Sequence, residues 1–207
     1  MGFLKFSLKW FLFFALNITK RGRKMPKVAL LLAPGFEELE AVTVVDVLRR
    51  AGIECLLVGL EGGPVPSARN VKIVPDVTIE QLSPEELDLV VLPGGIPGVE
   101  NLKRDARVKE LLEKMQAKGK MCAAICAAPG ALASFGLLKG KKATIYPSLK
   151  EELKGAQIEE SPVVVDGNIV TSQGPGTALP FAFKLVELLV GQEKASEVAR
   201  QMLLQYP

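Results

Sequence analysis

A cysteine at a junction of strand and helix is the first place in this chain where chemistry could be done. Cys126 lies in the stretch GKMCAAICAAPGAL, residues 119–132, directly after the apolar run 121–125 and before Ala127, Ala128, Pro129 and Gly130. The run reads as a buried strand and the residues after Cys126 as the opening of a helix. Small residues on both sides of one reactive side chain at such a junction describe a nucleophile elbow, a sharp turn that lifts the side chain out of the sheet. The start of a helix leaves backbone N–H groups unpaired and favours an anion. A thiol there is expected to be more acidic than the roughly 8.5 of free cysteine. The residues alone leave a second reading open, in which Cys126 is a small hydrophobe filling a tight turn.

Glu40 is the second candidate. On a helix advancing by 3.6 residues per turn it shares the apolar stripe of Val44, Val47 and Ala51, whereas Glu38, Asp46 and Arg49 point to the wet side. A carboxyl group among valines protonates more readily than a free one, and as a neutral acid it could hydrogen-bond a thiolate and exchange protons with it. Equally open is a Glu40 that only favours the helix N-terminus and bends out to water. The strand end Leu92-Pro93-Gly94-Gly95 lets backbone come close to whatever sits there. With the N–H of Ala127 it could form an oxyanion hole; a plain turn needing positive φ is the other reading. Gly174-Pro175-Gly176-Thr177 resembles an anion loop but lacks the P-loop lysine and spacing. Cys55 and Cys122 sit in apolar strands and read as core. Arg49 and Arg50 read as a solvated helix end, and Arg69 as a hairpin charge with an interface role open to it.

The elements that must position these residues alternate from Lys27 onward. Strands are expected at 28–33, 54–60, 88–92 and 121–125, with a hairpin excursion at 61–75 and short strands at 143–145, 163–165 and 169–172. Helices are expected at 37–51, closed by Gly52, and at 105–117, 177–190 and 192–204, with Val108, Leu111, Leu112 and Met115 available to the core. Strand alternating with helix implies a doubly wound parallel sheet, whose ligands sit at the carboxyl ends of its strands.

Composition narrows the chemistry. The chain has 207 residues, 48% hydrophobic and 24% charged, which suits one α/β domain with an appendage. It contains no histidine, which excludes a Cys–His or Ser–His pair within one chain. Three widely spaced cysteines form no disulfide framework, and without histidine they make a zinc site improbable. No basic patch beyond the N-terminus suggests nucleic acid. Residues 1–25 stand apart: they hold the only Trp, and the first 27 residues carry Lys and Arg but no Asp or Glu. Their apolar run, Trp10 to Leu16, is too short to span a bilayer. Three readings stay open for residues 1–25: a signal-like segment, a surface anchor, or an over-long gene start ahead of the domain 26–207.

The motifs LAPGFEELEAV, VLPGG, AAICAAP, TSQGPGT and LLVGQEKASEVARQM together resemble the ThiJ/PfpI superfamily, and within it the Parkinson-disease protein deglycase (DJ-one) branch with its YajL-like bacterial members. The resemblance implies an α/β, flavodoxin-like, doubly wound and mostly parallel sheet (class I glutamine amidotransferase-like) in a single domain. It implies Cys126 as nucleophile on a strained elbow, Glu40 as the carboxyl group touching its sulfur, and oxyanion contacts from the Gly95 and Ala127 backbones. Gly94, Tyr146, Gly174 and Pro175 are the further pocket candidates. Implied too are a homodimer using the first helix and the Arg69 hairpin, no cofactor and no metal. The expected activity is a cysteine-dependent glyoxalase or protein deglycase acting on methylglyoxal, glyoxal or their protein adducts. The alternative is a redox-sensing stress protein or chaperone whose Cys126 is oxidised to sulfinic acid. A cytoplasmic location is expected, with membrane association or export if residues 1–25 are genuine. One departure stands out: the human-type branch has histidine where this chain has Tyr146, between Ile145 and Pro147, and a phenol with a pKa near 10 is a poor base at neutral pH.

Overall fold

The computed structural model describes residues 25–205, so the readings of the leader lie outside the described residues. β1 (Lys27–Leu32) is apolar after its first residue, as a strand covered on both faces must be. Its side chains divide by the strand period of two. Val28, Leu30 and Leu32 enter one core, while Ala29 and Leu31 enter a second on the opposite face.

α1 (Glu38–Arg50) leads to β2 (Glu54–Gly59), which lies parallel to β1 with Leu30 opposite Leu57. Its last turn is closed by Gly52 at φ 78°. β3 (Val65–Pro66) and β4 (Lys72–Ile73) form the expected hairpin, and β5 (Val77–Thr78) adds a short edge strand. β6 (Leu89–Leu92) runs into α2 (Ile96–Arg104) and α3 (Ala106–Ala117). β7 (Met121–Ile125) is followed by α4 (Pro129–Ser134). β8 (Lys142–Ala143), a 3₁₀ segment (Pro147–Glu152) and β9 (Gln157–Ile158) come next, then β10 (Val163–Asp166) and β11 (Ile169–Ser172). α5 (Ala178–Val190) and α6 (Gln192–Gln201) end the described chain.

The main sheet has the order β10-β11-β7-β6-β1-β2-β5. All neighbours are parallel except β10 and β11, the hairpin made by the Gly167-Asn168 turn. Side chains of α1, α5 and α6, such as Val44, Phe181 and Val198, pack with Leu30. Those of α2, α3 and α4, such as Val99, Leu112 and Leu132, pack with Leu31. This is the flavodoxin-like α/β domain, and β7, which carries the elbow, lies inside the sheet between β6 and β11.

Four details differ from the expectations. α2 is an additional helix: Pro97 and Gly98 read as breakers, yet proline in the first turn of a helix loses no hydrogen bond. The helix after Cys126 starts at Pro129 with Ala128 as its cap and is a single short piece. The strand expected at 143–145 is Lys142–Ala143, paired with β9 in a small separate ribbon. Glu38 is half-buried with its Oε2 buried and unpartnered, not on the wet side. Among the described residues no helix is long and apolar enough to cross a membrane.

Candidate active site

Cys126 has a φ of 63°, a left-handed conformation in which a residue bearing a Cβ is strained. Its neighbours hold it there. The Cys126 N–H donates to the Ser172 carbonyl of β11 at 3.0 Å, and its own carbonyl accepts the Tyr146 N–H at 2.9 Å. Both ends of the strained peptide are thereby occupied, and the thiol is half-buried at the carboxyl ends of β6, β7 and β11.

Glu40 comes in from the first turn of α1 and is 0% exposed. Its Oε2 accepts the Gly94 N–H at 2.7 Å, and its Oε1 is buried with no conventional hydrogen-bond partner. The carboxyl group and the Cys126 thiol lie within hydrogen-bonding reach of each other. Gly94 makes this meeting sterically possible. A Cβ on Gly94 would stand 2.5 Å from Cys126 Cβ, 2.7 Å from Glu40 Oε2 and 3.0 Å from Cys126 Sγ. Gly95, at φ 91°, then caps α2 and turns its N–H toward the sulfur, as Ala127 does from the other side.

Burial pushes the Glu40 carboxyl up from 4.5 to about 7, against the pull of the Gly94 N–H and the thiol. Burial, followed by the charge of Glu40, pushes the Cys126 thiol up to about 12, while the Gly95 and Ala127 N–H groups oppose the rise. Burial and the Glu40 charge thus oppose the acidification expected of the helix start, while the Gly95 and Ala127 N–H groups act in its favour. The helix after the elbow is short, and the nearest charged group is a buried carboxylate, so removal of the thiol proton puts two negative charges side by side. The natural sink for that proton is Glu40 itself, whose affinity for a proton is poised near neutrality. Cys55 and Cys122 are buried, and burial raises both thiols to about 12.

Above the thiol lies a cleft of about 540 Å³, walled by Cys126, Ala127, Gly95, Ile96, Tyr146, Ser148, Leu149 and Pro175, with Glu37, Ala68 and Arg69 at one side. Of the residues singled out from sequence, Cys126, Gly95, Ala127, Tyr146 and Pro175 line it. Glu40 and Gly94 lie beneath its floor, and Gly174 backs the Tyr146 ring, which passes 3.2 Å from where a Gly174 Cβ would be. Arg69 arrives because the hairpin docks on the end of β1: the Gly35 N–H donates to Pro66 O at 2.8 Å and the Ala68 N–H to Phe36 O at 2.7 Å. Its guanidinium donates to Glu37 Oε2 at 3.2 Å. Glu37, Ser148 and Ser172 were not singled out from the sequence, and no periodicity or spacing marks them; only the sheet order brings their segments together. Among the described residues no group of Cys, Asp and Glu is arranged to hold a metal ion.

The doubly wound sheet, the strained cysteine after β7 and the buried glutamate of α1 define a class of single-domain α/β proteins built around a cysteine on a strained strand-to-helix turn. The DJ-1/PfpI family model matches residues 26–188, and the chain belongs to that family. Protein dj-1beta of Drosophila melanogaster is 46% identical over 186 residues, 88% of this chain and 100% of that one. Its crystal structure superposes with a TM-score of 0.86 at 44% identity, covering 88% of this chain and 100% of its own. The glutathione-independent glyoxalase DJR-1.2 of Caenorhabditis elegans is 35% identical over 86% of this chain and 97% of its own. The structure of oxidized Toxoplasma gondii DJ-1 has a TM-score of 0.84 at 39% identity, covering 87% of this chain and 100% of that one.

Proposed function

We propose that the protein is a glyoxalase and protein deglycase of carbonyl stress defence, converting methylglyoxal, glyoxal or their early adducts with protein side chains into hydroxy acids. The observation that carries this reading is the pairing of the strained Cys126 thiol with a buried carboxyl group poised at about 7, a general base matched to neutral pH. A relative named as a glutathione-independent glyoxalase supports the same direction.

The steps balance without a cofactor. Glu40 takes the thiol proton as Sγ adds to the aldehyde carbon, and the new alkoxide is met by the Gly95 and Ala127 N–H groups. Glu40 returns that proton to the alkoxide, which becomes the hydroxyl of a hemithioacetal, and is again a free carboxylate. Glu40 then carries the proton from the former aldehyde carbon to the adjacent carbon, through an enediol, leaving a thioester on Cys126. Water hydrolyses the thioester, releasing the hydroxy acid and the thiol, so that the sum is oxoaldehyde plus water; from an adduct, the protein amine or thiol leaves with a proton as Sγ takes its place on that carbon, and the later steps are the same. Tyr146 takes no proton in this scheme. Lactate formation from methylglyoxal tests it: the wild type should exceed a Cys126→Ala control by orders of magnitude, and parity between the two overturns it.

A second reading has its own support, the half-exposed sulfur beside a carboxyl group and the solved oxidized relative. In it, peroxide oxidises the thiolate to sulfenate and a second peroxide to sulfinate, one water leaving each time. Mass spectrometry after mild peroxide should find two oxygens on Cys126 before any on Cys55 or Cys122; equal oxidation of all three overturns it. With either reading we propose a homodimer and a cytoplasmic location, with membrane association or export if residues 1–25 are retained.

A further inference from the structure

Two elements that frame the cleft meet at their far ends, on the first turn of a third. α2 begins beside Gly95 and carries Lys103 in its last turn, the 3₁₀ segment begins after Tyr146 and ends at Glu152, and α4 carries Gly130 in its first turn. Lys103 Nζ donates to Glu152 Oε2 at 2.8 Å and to Glu100 Oε1 at 3.0 Å. The Glu152 carboxylate also rests on the backbone of α4, for a Cβ at Gly130 would stand only 2.3 Å from Glu152 Oε2. The Lys103 side chain is 19% exposed and that of Glu152 37%, so the pair is only partly open to the screening that weakens surface ion pairs. Only glycine at position 130 leaves this seat open.

We propose that the Lys103–Glu152 ion pair, seated on Gly130, is a latch that holds α2 and residues 146–152 around the elbow and so sets the access to Cys126. Each tied element touches the cysteine at its other end. Gly95 turns its N–H to the sulfur from the start of α2, and Tyr146 holds the Cys126 carbonyl from the start of the 3₁₀ segment. A shift at the latch is passed along these short, stiff pieces to the cleft wall at Ile96, Ser148 and Leu149. This deepens the proposed function and, for its substrates, rests on it: the closed latch fits free small oxoaldehydes, and an open one admits bulkier adducts. Lys103, Glu152 and Gly130 are positioning residues, since none of them lines the cleft.

Gly130→Ala is the informative variant, because the new methyl group has only the end of a flexible side chain to displace. Iodoacetamide labelling of Cys126 in the full-length protein gives a readout that needs no turnover. Gly130→Ala, Glu152→Ala and Lys103→Met should each speed labelling by about threefold to tenfold, the scale of one partly screened ion pair. The Gly130→Ala effect should vanish in a Glu152→Ala background, as for residues acting through one contact, and Lys103→Arg should behave as wild type. Equal Gly130→Ala effects with and without Glu152, or no effect at all, overturn the latch. A protein that makes no lactate but shows the coupled labelling pattern keeps the latch and loses only the proposed reaction.

Discussion

The Gly94 amide donates to Glu40 Oε2 at 2.7 Å and leaves Oε1 buried without a conventional partner beside the Cys126 thiol. One oxygen is thus held as an acceptor, and the other is where a proton can rest. Burial supplies the reason to hold it, lifting the group to about 7. The glycine that donates the hydrogen bond is also the one whose missing side chain makes room for the sulfur.

If Glu40 is the base that takes the thiol proton, turnover and Cys126 labelling should rise with pH through a midpoint near 7. Glu40→Gln keeps the acceptor for Gly94 but cannot take a proton. Its turnover should fall by about a hundredfold or more, the usual worth of a positioned base, and lose that midpoint. Lactate formation followed across pH reads both effects.

Stability should show the opposite trend. The folded-state value of Glu40 is raised from 4.5 to about 7, so between these values the folded chain binds more protons than the unfolded one. Its contribution is fully present below 4.5 and is lost as pH rises through 7, on the order of 3 kcal/mol in all. Glu40→Gln should therefore be more stable than wild type at pH 8, with the advantage shrinking towards pH 5, in urea unfolding at several pH values.

Gly94→Ala should damage fold and site together. The added methyl group would meet the Cβ of Cys126 at 2.5 Å, and neither backbone can yield without moving β6 or β7. A loss of about 1–3 kcal/mol is expected from overpacking, together with loss of lactate formation. Thermal unfolding with an activity assay on the remaining folded protein checks it.

The proposed homodimer makes a further demand. Leu39 and Val42 of α1 and Val71 and Val74 beside the Arg69 hairpin leave large apolar side chains exposed. Val42→Asp should shift the mass measured by light scattering from dimer to monomer while leaving circular dichroism unchanged.

Much of this was legible in the chain. The unbroken apolar runs of β1, β6 and β7 announce strands covered on both sides, and the i, i+4 spacing of Glu40 with Val44 places a carboxyl group on the buried face of α1. Helix α2 was hidden because Pro97 and Gly98 are breakers everywhere except in a first turn. Arg69 was read as a hairpin charge, because nothing local shows that backbone hydrogen bonds from Gly35 and Ala68 carry that hairpin to the cleft.

The sequence by itself determined the alternation of strand and helix and marked Cys126 and Glu40 as candidates, since these follow from side-chain type and short-range period, while their pairing was only implied by the family resemblance. Only the tertiary structure decided what surrounds the pair. The expectation of an acidic thiol came from a local feature, the helix start, whereas the opposing effects come from partial burial against the core and from a carboxylate brought by a distant helix. Desolvation and charge proximity are properties of the packed interior, and no local reading of residues 119–132 contains them.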